Sequence, residues 1–197
     1  MSYYRTFRSF FRIIFSLVFR WQVIGREHIP KEGPVILCAN HISLWDPPLL
    51  GSGIERMVNF MAKEELFRIP VLSFLITKFG AFPVKRGAGD RAAIRTTLKL
   101  LEDGKVLGIF PEGTRSKTGE LGEGMPGTAM FALKSQATVI PVAIIGPYRL
   151  FRPIKIVYGE PIDLTQLREA KPSADTLKQT TDLIMQRIRE LHDQHRF

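Results

Sequence analysis

A histidine and an aspartate five residues apart, His41 and Asp46, follow the short apolar run Val35-Ile36-Leu37-Cys38-Ala39, in the segment Asn40-His41-Ile42-Ser43-Leu44-Trp45-Asp46-Pro47-Pro48. A carboxylate beside an imidazole fixes its tautomer and stabilises its protonated form. The second ring nitrogen is then left to take a proton from a substrate hydroxyl. On one straight helix the two side chains would point about 140° apart at 3.6 residues per turn; across a strand-to-helix turn they can meet. Asp46 before two prolines is also a helix-start signal, because Asp caps free N–H groups and Pro at the first helical position loses no bond. At this point a capping role and a catalytic role both stand open.

Two further clusters carry the charge that a phosphate needs. In Gly80-Ala81-Phe82-Pro83-Val84-Lys85-Arg86-Gly87 two adjacent cations follow an apolar strand end. They read either as a phosphate clamp, with Arg86 supplying a bidentate fork, or as a solvated surface loop. The apolar run Val106 to Phe110 leads directly into Pro111-Glu112-Gly113-Thr114-Arg115-Ser116. Such a turn can aim backbone N–H groups, a hydroxyl and a guanidinium at one anion. Gly113 would permit close backbone approach, and Glu112 would position Arg115 or a substrate hydroxyl. A polar loop after a buried strand fits the same residues. Cys38 and His41 would face opposite sides of a strand, which disfavours a Cys-His dyad and makes Cys38 a core residue. Ser43 reads as satisfying backbone groups within the turn.

The elements that must position these groups follow from hydrophobic periodicity. Val35 to Ala39, Met57 to Ala62, Val106 to Phe110, Val139 to Ile145 and Ile154 to Tyr158 read as strands. Between them lie helical patterns, the clearest from Asp90 to Glu102, where Ala93, Ile94, Thr97, Leu98 and Leu101 form one face that ends at Asp103-Gly104. Near the carboxyl end Leu177, Thr181, Ile184, Ile188 and Leu191 repeat at helical spacing, with Asp175 placed to cap. Alternating strands and helices predict a single α/β domain with a mostly parallel sheet covered by helices, and ligand chemistry beyond the carboxyl ends of its strands. Ser116 to Gly127, rich in glycine, reads as a mobile loop.

With 197 residues the chain has the size of one domain, and it can bury about 70% of its unfolded surface. A single cysteine excludes an intrachain disulfide and any multi-cysteine zinc site. The net charge of +9 calls for an anionic partner, and residues 1–31 hold six of the basic side chains against one acid. The same segment holds Tyr3, Tyr4, Phe7, Phe10, Phe11, Phe15, Phe19 and Trp21. As a helix it places Phe7, Phe10, Phe11, Ile14, Phe15 and Val18 on one face and Arg5, Ser9, Arg12, Ser16 and Arg20 on the other. That composition suits a helix lying in an anionic membrane interface. A helix docked on the protein's own core, its arginines solvated, is the alternative. The uncharged apolar stretch Ile13 to Phe19 is far short of the roughly 20 residues that span a bilayer.

Taken together, the blocks resemble the glycerolipid acyltransferase family, and within it the bacterial 1-acyl-glycerol-3-phosphate O-acyltransferases. Asn40 to Pro47 is similar to the family's His-x4-Asp block. Gly80 to Arg86 is similar to the second block, Phe110 to Ser116 to the third and Val139-Ile140-Pro141-Val142 to the fourth, in the family's order. The resemblance implies that His41 is the general base and Asp46 its orienting partner. It implies that Arg86 and Arg115 hold a glycerol phosphate while Glu112, Gly113 and Thr114 shape that pocket. Lys63 would be a further basic residue at the site and Pro141 a wall beside the acyl chain.

The same resemblance implies transfer of a fatty acyl group from acyl-CoA or acyl-ACP (acyl carrier protein) to the 2-hydroxyl of a lysophospholipid acceptor, 1-acyl-glycerol-3-phosphate, giving phosphatidic acid without an acyl-enzyme. Beyond that co-substrate it implies no cofactor and no metal. Residues 1–21 would form an amphipathic membrane-associating helix and 22–197 the α/β acyltransferase domain, peripheral at the cytoplasmic face of the cell membrane. Glycerol-3-phosphate or another lysolipid is the alternative acceptor. A non-catalytic basic membrane-binding protein is the alternative of a different class. Nucleic acid is disfavoured, since no zinc spacing, recognition helix or aromatic RNA-binding motif is present.

Overall fold

In the computed structural model, which describes residues 2–85 and 90–197, the chain runs through α1 (Ser2–Phe19), β1 (Gln22–Ile24), β2 (Val35–Ala39), α2 (Asp46–Gly53), β3 (Val58–Lys63), α3 (Pro70–Lys78) and β4 (Ala81–Val84). It continues through α4 (Arg91–Glu102), β5 (Val106–Ile109), α5 (Pro126–Lys134), β6 (Thr138–Ile145), β7 (Lys155–Tyr158), α6 (Thr165–Glu169) and α7 (Ala174–Gln194). The strands form one sheet in the order β1-β7-β6-β2-β5-β3-β4. Strands β6, β2, β5, β3 and β4 are mutually parallel, whereas β7 runs antiparallel to β6 and carries β1 beside it. Their carboxyl ends therefore share one edge. That edge receives Asn40-His41 from β2, Lys63 from β3, Lys85 from β4, Phe110 to Arg115 from β5 and Gly146 to Tyr148 from β6.

Strand β2 lies between β5 and β6, and all five of its residues are buried, as expected of a central strand covered on both faces. Alternation sends Val35, Leu37 and Ala39 to a core shared with Phe15 and Phe19 of α1 and Leu49 and Leu50 of α2. Ile36 and Cys38 point the other way, against Leu101 of α4, Phe131 of α5 and Ile184 and Ile188 of α7. The expected fold class is thus present. Periodicity missed β1, α3, α5 and α6, all of them nine residues or shorter, too little chain to show a clear repeat. Helix α7 is capped by Ser173, which accepts from the Thr176 amide at 3.0 Å; Asp175, the expected cap, sits inside the first turn. Asp90 caps α4, accepting from the Ala92 and Ala93 amides at 3.0 Å each.

Helix α1 packs on the core, but its polar back is not as expected. Arg12, assigned to the solvated face, turns inward: it donates to the Ser52 carbonyl at 2.8 Å and the Ile54 carbonyl at 3.2 Å, and pairs with Glu55 at 2.8 Å. Arg8 is buried and donates to the backbone carbonyl of Glu55, and its guanidinium pairs with the same residue's carboxylate at 2.6 Å. The hydrogen bond from Arg12 holds the Glu55 carboxyl below the ordinary glutamate range. At 100° per residue, the apolar residues of α1 cover an arc of roughly 240°. A core needs little more than 100° of it. The excess is an outer stripe of Tyr3, Phe10, Ile13 and Leu17, each more than half exposed.

Because Phe15 is fully buried against Phe11, Phe19, Trp21 and Trp45, truncating it removes a large part of the joint between α1 and the sheet. Phe15→Ala is expected to lower the unfolding free energy in urea by about 3–5 kcal/mol. A loss below about 1 kcal/mol would show that α1 is not part of the cooperative core.

Candidate active site

Asp46 is the first residue of α2, yet its carboxylate does not cap that helix, whose N-cap position, Trp45, makes no capping side-chain bond. It turns back into the preceding loop. One oxygen, Oδ2, accepts from the Ile42 and Ser43 amides at 2.7 Å each and from His41 Nδ1, also at 2.7 Å. The other, Oδ1, accepts from the Tyr148 hydroxyl at 2.6 Å. Asp46 is fully buried, and four donors converging on it satisfy a group that can only accept when ionised. With Nδ1 donating to Asp46, a neutral His41 leaves Nε2 as an acceptor, and among the described residues nothing occupies it.

The His41 ring is held from several sides. Phe110 stacks on it at 4.0 Å between centroids and 17° between planes, and Phe60 stacks behind Phe110 at 6.4 Å. Both backbone groups of His41 are bound by the turn after β5. Its N–H donates to Glu112 Oε1 at 2.8 Å, and its carbonyl accepts from the Ser116 amide at 2.7 Å. The second Glu112 oxygen accepts from the Gly122 amide at 2.9 Å, and the Met125 amide donates to the Pro111 carbonyl at 2.7 Å. The segment read as a mobile loop is therefore tied to the site at both ends. Just before His41, the buried Asn40 side chain exchanges two hydrogen bonds with the Ile144 backbone, at 2.7 and 2.9 Å, and so extends the β2–β6 pairing by one step.

The residues expected to bind a phosphate are placed unequally. Arg115 lies exposed in the turn, one residue from the amide that holds His41, and has no ion pair or hydrogen bond among the described residues. Thr114 is exposed beside it, and Gly113 takes φ +68°, a conformation that disfavours a side chain. Glu112 does not pair with Arg115; both of its oxygens are engaged by backbone amides. Lys63 ends β3, and alternation puts it with Met61 on the face opposite Phe60 and His41, exposed. Arg86 lies outside the described residues. Lys85 is exposed, its amide donating to Asp90 at 2.9 Å. Pro141, the expected acyl-chain wall, is buried inside β6 opposite Cys38. A cavity of about 600 Å³ bounded by Met57, Gly80, Arg95 and Lys105 lies at the amino ends of β3, β4 and β5, the edge remote from His41.

Cys38 is buried on the face away from His41, and burial pushes its thiol far above the ordinary range, which suits packing rather than nucleophilic work. Ser43 accepts from the Trp45 amide at 3.2 Å, the local role expected of it. Two members of the site were given no role from the chain: Tyr148, 102 residues from Asp46, which carries no signal at all, and the Phe110 ring, which only opens the third block. Burial raises the Tyr148 hydroxyl above its ordinary range, and the Asp46 charge raises it further, so it stays a donor.

A protein-family model described as Acyltransferase matches residues 20–145. The 1-acyl-sn-glycerol-3-phosphate acyltransferase of Bacillus subtilis is 32% identical over 191 residues, spanning 92% of this chain and 93% of that protein. The lyso-ornithine lipid O-acyltransferase of Pseudomonas aeruginosa is 36% identical over 135 residues, 68% of this chain and 50% of that one. Among solved structures, the 1-acyl-sn-glycerophosphate (LPA) acyltransferase PlsC from Thermotoga maritima superposes with a TM-score of 0.75 at 29% identity, over 95% of this chain and 79% of that one.

The Glu112 carboxylate accepts one hydrogen bond from each of the His41 and Gly122 amides, and losing it has a measurable consequence. In Glu112→Ala, two amides lose their acceptor, and amide hydrogen exchange is expected to accelerate by about tenfold at the half-buried His41 amide, the factor that corresponds to one lost hydrogen bond, and in the same direction at the exposed Gly122 amide. Unchanged exchange at both amides would remove Glu112 from this holding role.

Proposed function

The chain belongs to the acyltransferase family, and from that membership we propose that it moves a fatty acyl group from an acyl thioester, acyl-CoA or acyl carrier protein, to the 2-hydroxyl of 1-acyl-glycerol-3-phosphate. The observation that carries the reading is the 2.7 Å bond from His41 Nδ1 to a buried Asp46, which leaves Nε2 without a partner among the described residues at the edge where the parallel strands end. In the proposed reaction Nε2 takes the hydroxyl proton as the oxygen attacks the thioester carbonyl. Asp46 stabilises the imidazolium that forms. Collapse of the tetrahedral intermediate breaks the carbon–sulfur bond, and the imidazolium returns the proton to the departing thiolate. No acyl-enzyme forms. Arg115, without an ion pair or hydrogen bond among the described residues and beside the His41 turn, takes the acceptor's phosphate, joined by Arg86, while Gly113 and Thr114 line the same turn.

Such an acceptor lives in a bilayer. No helix among the described residues is long and apolar enough to cross a membrane. The outer stripe of α1 suits an interfacial position, and two more exposed apolar pairs adjoin it. Trp45, next to the exposed Leu44, lies against Phe11 and Phe15, and Leu150 and Phe151 are tied in by the bond of the Phe151 amide to the Val18 carbonyl at 2.7 Å. Protein embedded through this surface would sit with His41 near the headgroups, at the cytoplasmic face where acyl thioesters are made. The likeness to a lyso-ornithine lipid acyltransferase favours a second reading in which the acceptor carries a different headgroup.

His41→Ala is expected to lower acyl transfer by a factor of about 10² to 10⁴ while vesicle sedimentation persists. Full activity in that variant would end the proposed mechanism. Assayed with 1-acyl-glycerol-3-phosphate and with an ornithine lysolipid, Arg115→Ala should raise KM about tenfold or more for the phosphate acceptor alone, as expected on losing a charge-assisted contact. Equal effects on both would favour the second acceptor reading. Ile13→Glu with Leu17→Glu should abolish sedimentation with anionic vesicles at physiological salt, and retained binding would remove the α1 stripe from the interface.

A further inference from the structure

We propose that Tyr148 is a positioning residue for acyl transfer: it holds the Asp46 carboxylate in the rotation that presents Oδ2 to His41, and α1 in turn holds Tyr148. The inference rests on the reading of His41 and Asp46 as base and orienting partner.

The two carboxylate oxygens are served differently. All three donors to Oδ2 come from residues 41–43, so the loop can bring them by itself. Among the described residues Oδ1 has one donor, the Tyr148 hydroxyl, from the loop between β6 and β7. Asp46 is fully buried, so without that hydroxyl Oδ1 would be an acceptor shut away from bulk water. A carboxylate in that state gains by rotating toward any other donor, and rotation moves Oδ2 off the line to Nδ1. Tyr148 thus opposes the rotation that the bonds from the local loop leave open.

Tyr148 is itself fixed by α1. Its ring meets the Phe19 ring edge-on, at 5.7 Å and 83°, and Phe19 is the buried last residue of the helix. Two backbone bonds join the same loop to the same helix end: the Phe151 amide to the Val18 carbonyl at 2.7 Å, and the Ile154 amide to the Phe19 carbonyl at 3.1 Å. A continuous series of contacts runs from the amino-terminal helix through Phe19, Tyr148 and Asp46 to His41. The helix therefore supports the base as well as covering the core.

The hydroxyl and the ring can be separated. Tyr148→Phe deletes the bond to Asp46 and keeps the ring, whereas Phe19→Leu keeps an apolar core residue but removes its edge-on contact with Tyr148, along with its ring contact to Phe15. With the full chain, acyl-CoA and 1-acyl-glycerol-3-phosphate in vesicles, Tyr148→Phe is expected to lower kcat by about tenfold, the scale of one hydrogen bond to a charged group. Both KM values should stay within about twofold, because the hydroxyl is engaged by the buried Asp46 rather than offered to a substrate, and the thermal midpoint should fall by a few degrees, the cost of one unmet buried acceptor. Phe19→Leu should lower kcat in the same direction, and the double variant should fall no further than the worse single one, as two residues acting through one contact require. Unchanged kcat in Tyr148→Phe, or a loss appearing in KM alone, would overturn the positioning role. Independent, additive losses would overturn the part assigned to α1. His41→Ala is measured alongside: if it remains active, the reading of the base fails, whereas an inactive His41→Ala beside a fully active Tyr148→Phe sinks only the present inference.

Discussion

A carboxylate with no exposed surface must find donors inside the protein, and Asp46 finds four. That requirement shapes the turn between β2 and α2. The Ile42 and Ser43 amides have to point inward, the His41 ring has to lie over the same oxygen, and α2 has to begin without a side-chain cap from Asp46. Pro47 and Pro48 reduce the cost, since two of the amides that a cap would satisfy are absent. Asp46 is thus a cap turned around: it serves the loop that precedes it rather than the helix it starts.

The sheet supplies the frame for that turn. Five parallel strands bring their carboxyl ends to one edge, which is why segments far apart in the chain converge there. Strand β5 adds most, since the turn after it takes both backbone groups of His41 and covers one ring face with Phe110. Strand β6 anchors Asn40 and carries Tyr148 just beyond its end. An imidazole bound through its backbone, its Nδ1 and one face keeps a single edge free, the preorganisation that the proposed proton transfer would need.

Helix α1 answers two demands with one segment. Its inner arc completes a core that α2 and the sheet leave open, with Phe15 fully buried and Arg8 and Arg12 satisfying carbonyls at the end of α2. Its outer stripe remains apolar and uncovered. A helix needed only for the core would have placed polar residues there, as Arg5, Ser9, Ser16 and Arg20 do on the remaining arc. The docking alternative and the membrane reading are therefore compatible, because they use different faces.

The parts of this protein written locally were readable from the chain. Runs such as Val35 to Ala39 and the Ala93 to Leu101 face announce their elements because burial imposes a period on neighbouring residues. Family blocks around His41, Gly80 and Phe110 are short contiguous strings, so they too survive in one dimension. Contacts that bind one oxygen or one ring across the fold leave no such trace. Nothing near Tyr148 announces that its hydroxyl meets Asp46, and nothing in the spacing of Arg8 and Arg12 separates them from the solvated Arg5. Asp46 itself carried a cap signal that the folded chain uses in the opposite direction. Periodicity records which face of an element is buried, whereas partners 40 to 100 residues away are chosen by packing, and only the assembled sheet and helices bring them within hydrogen-bonding distance.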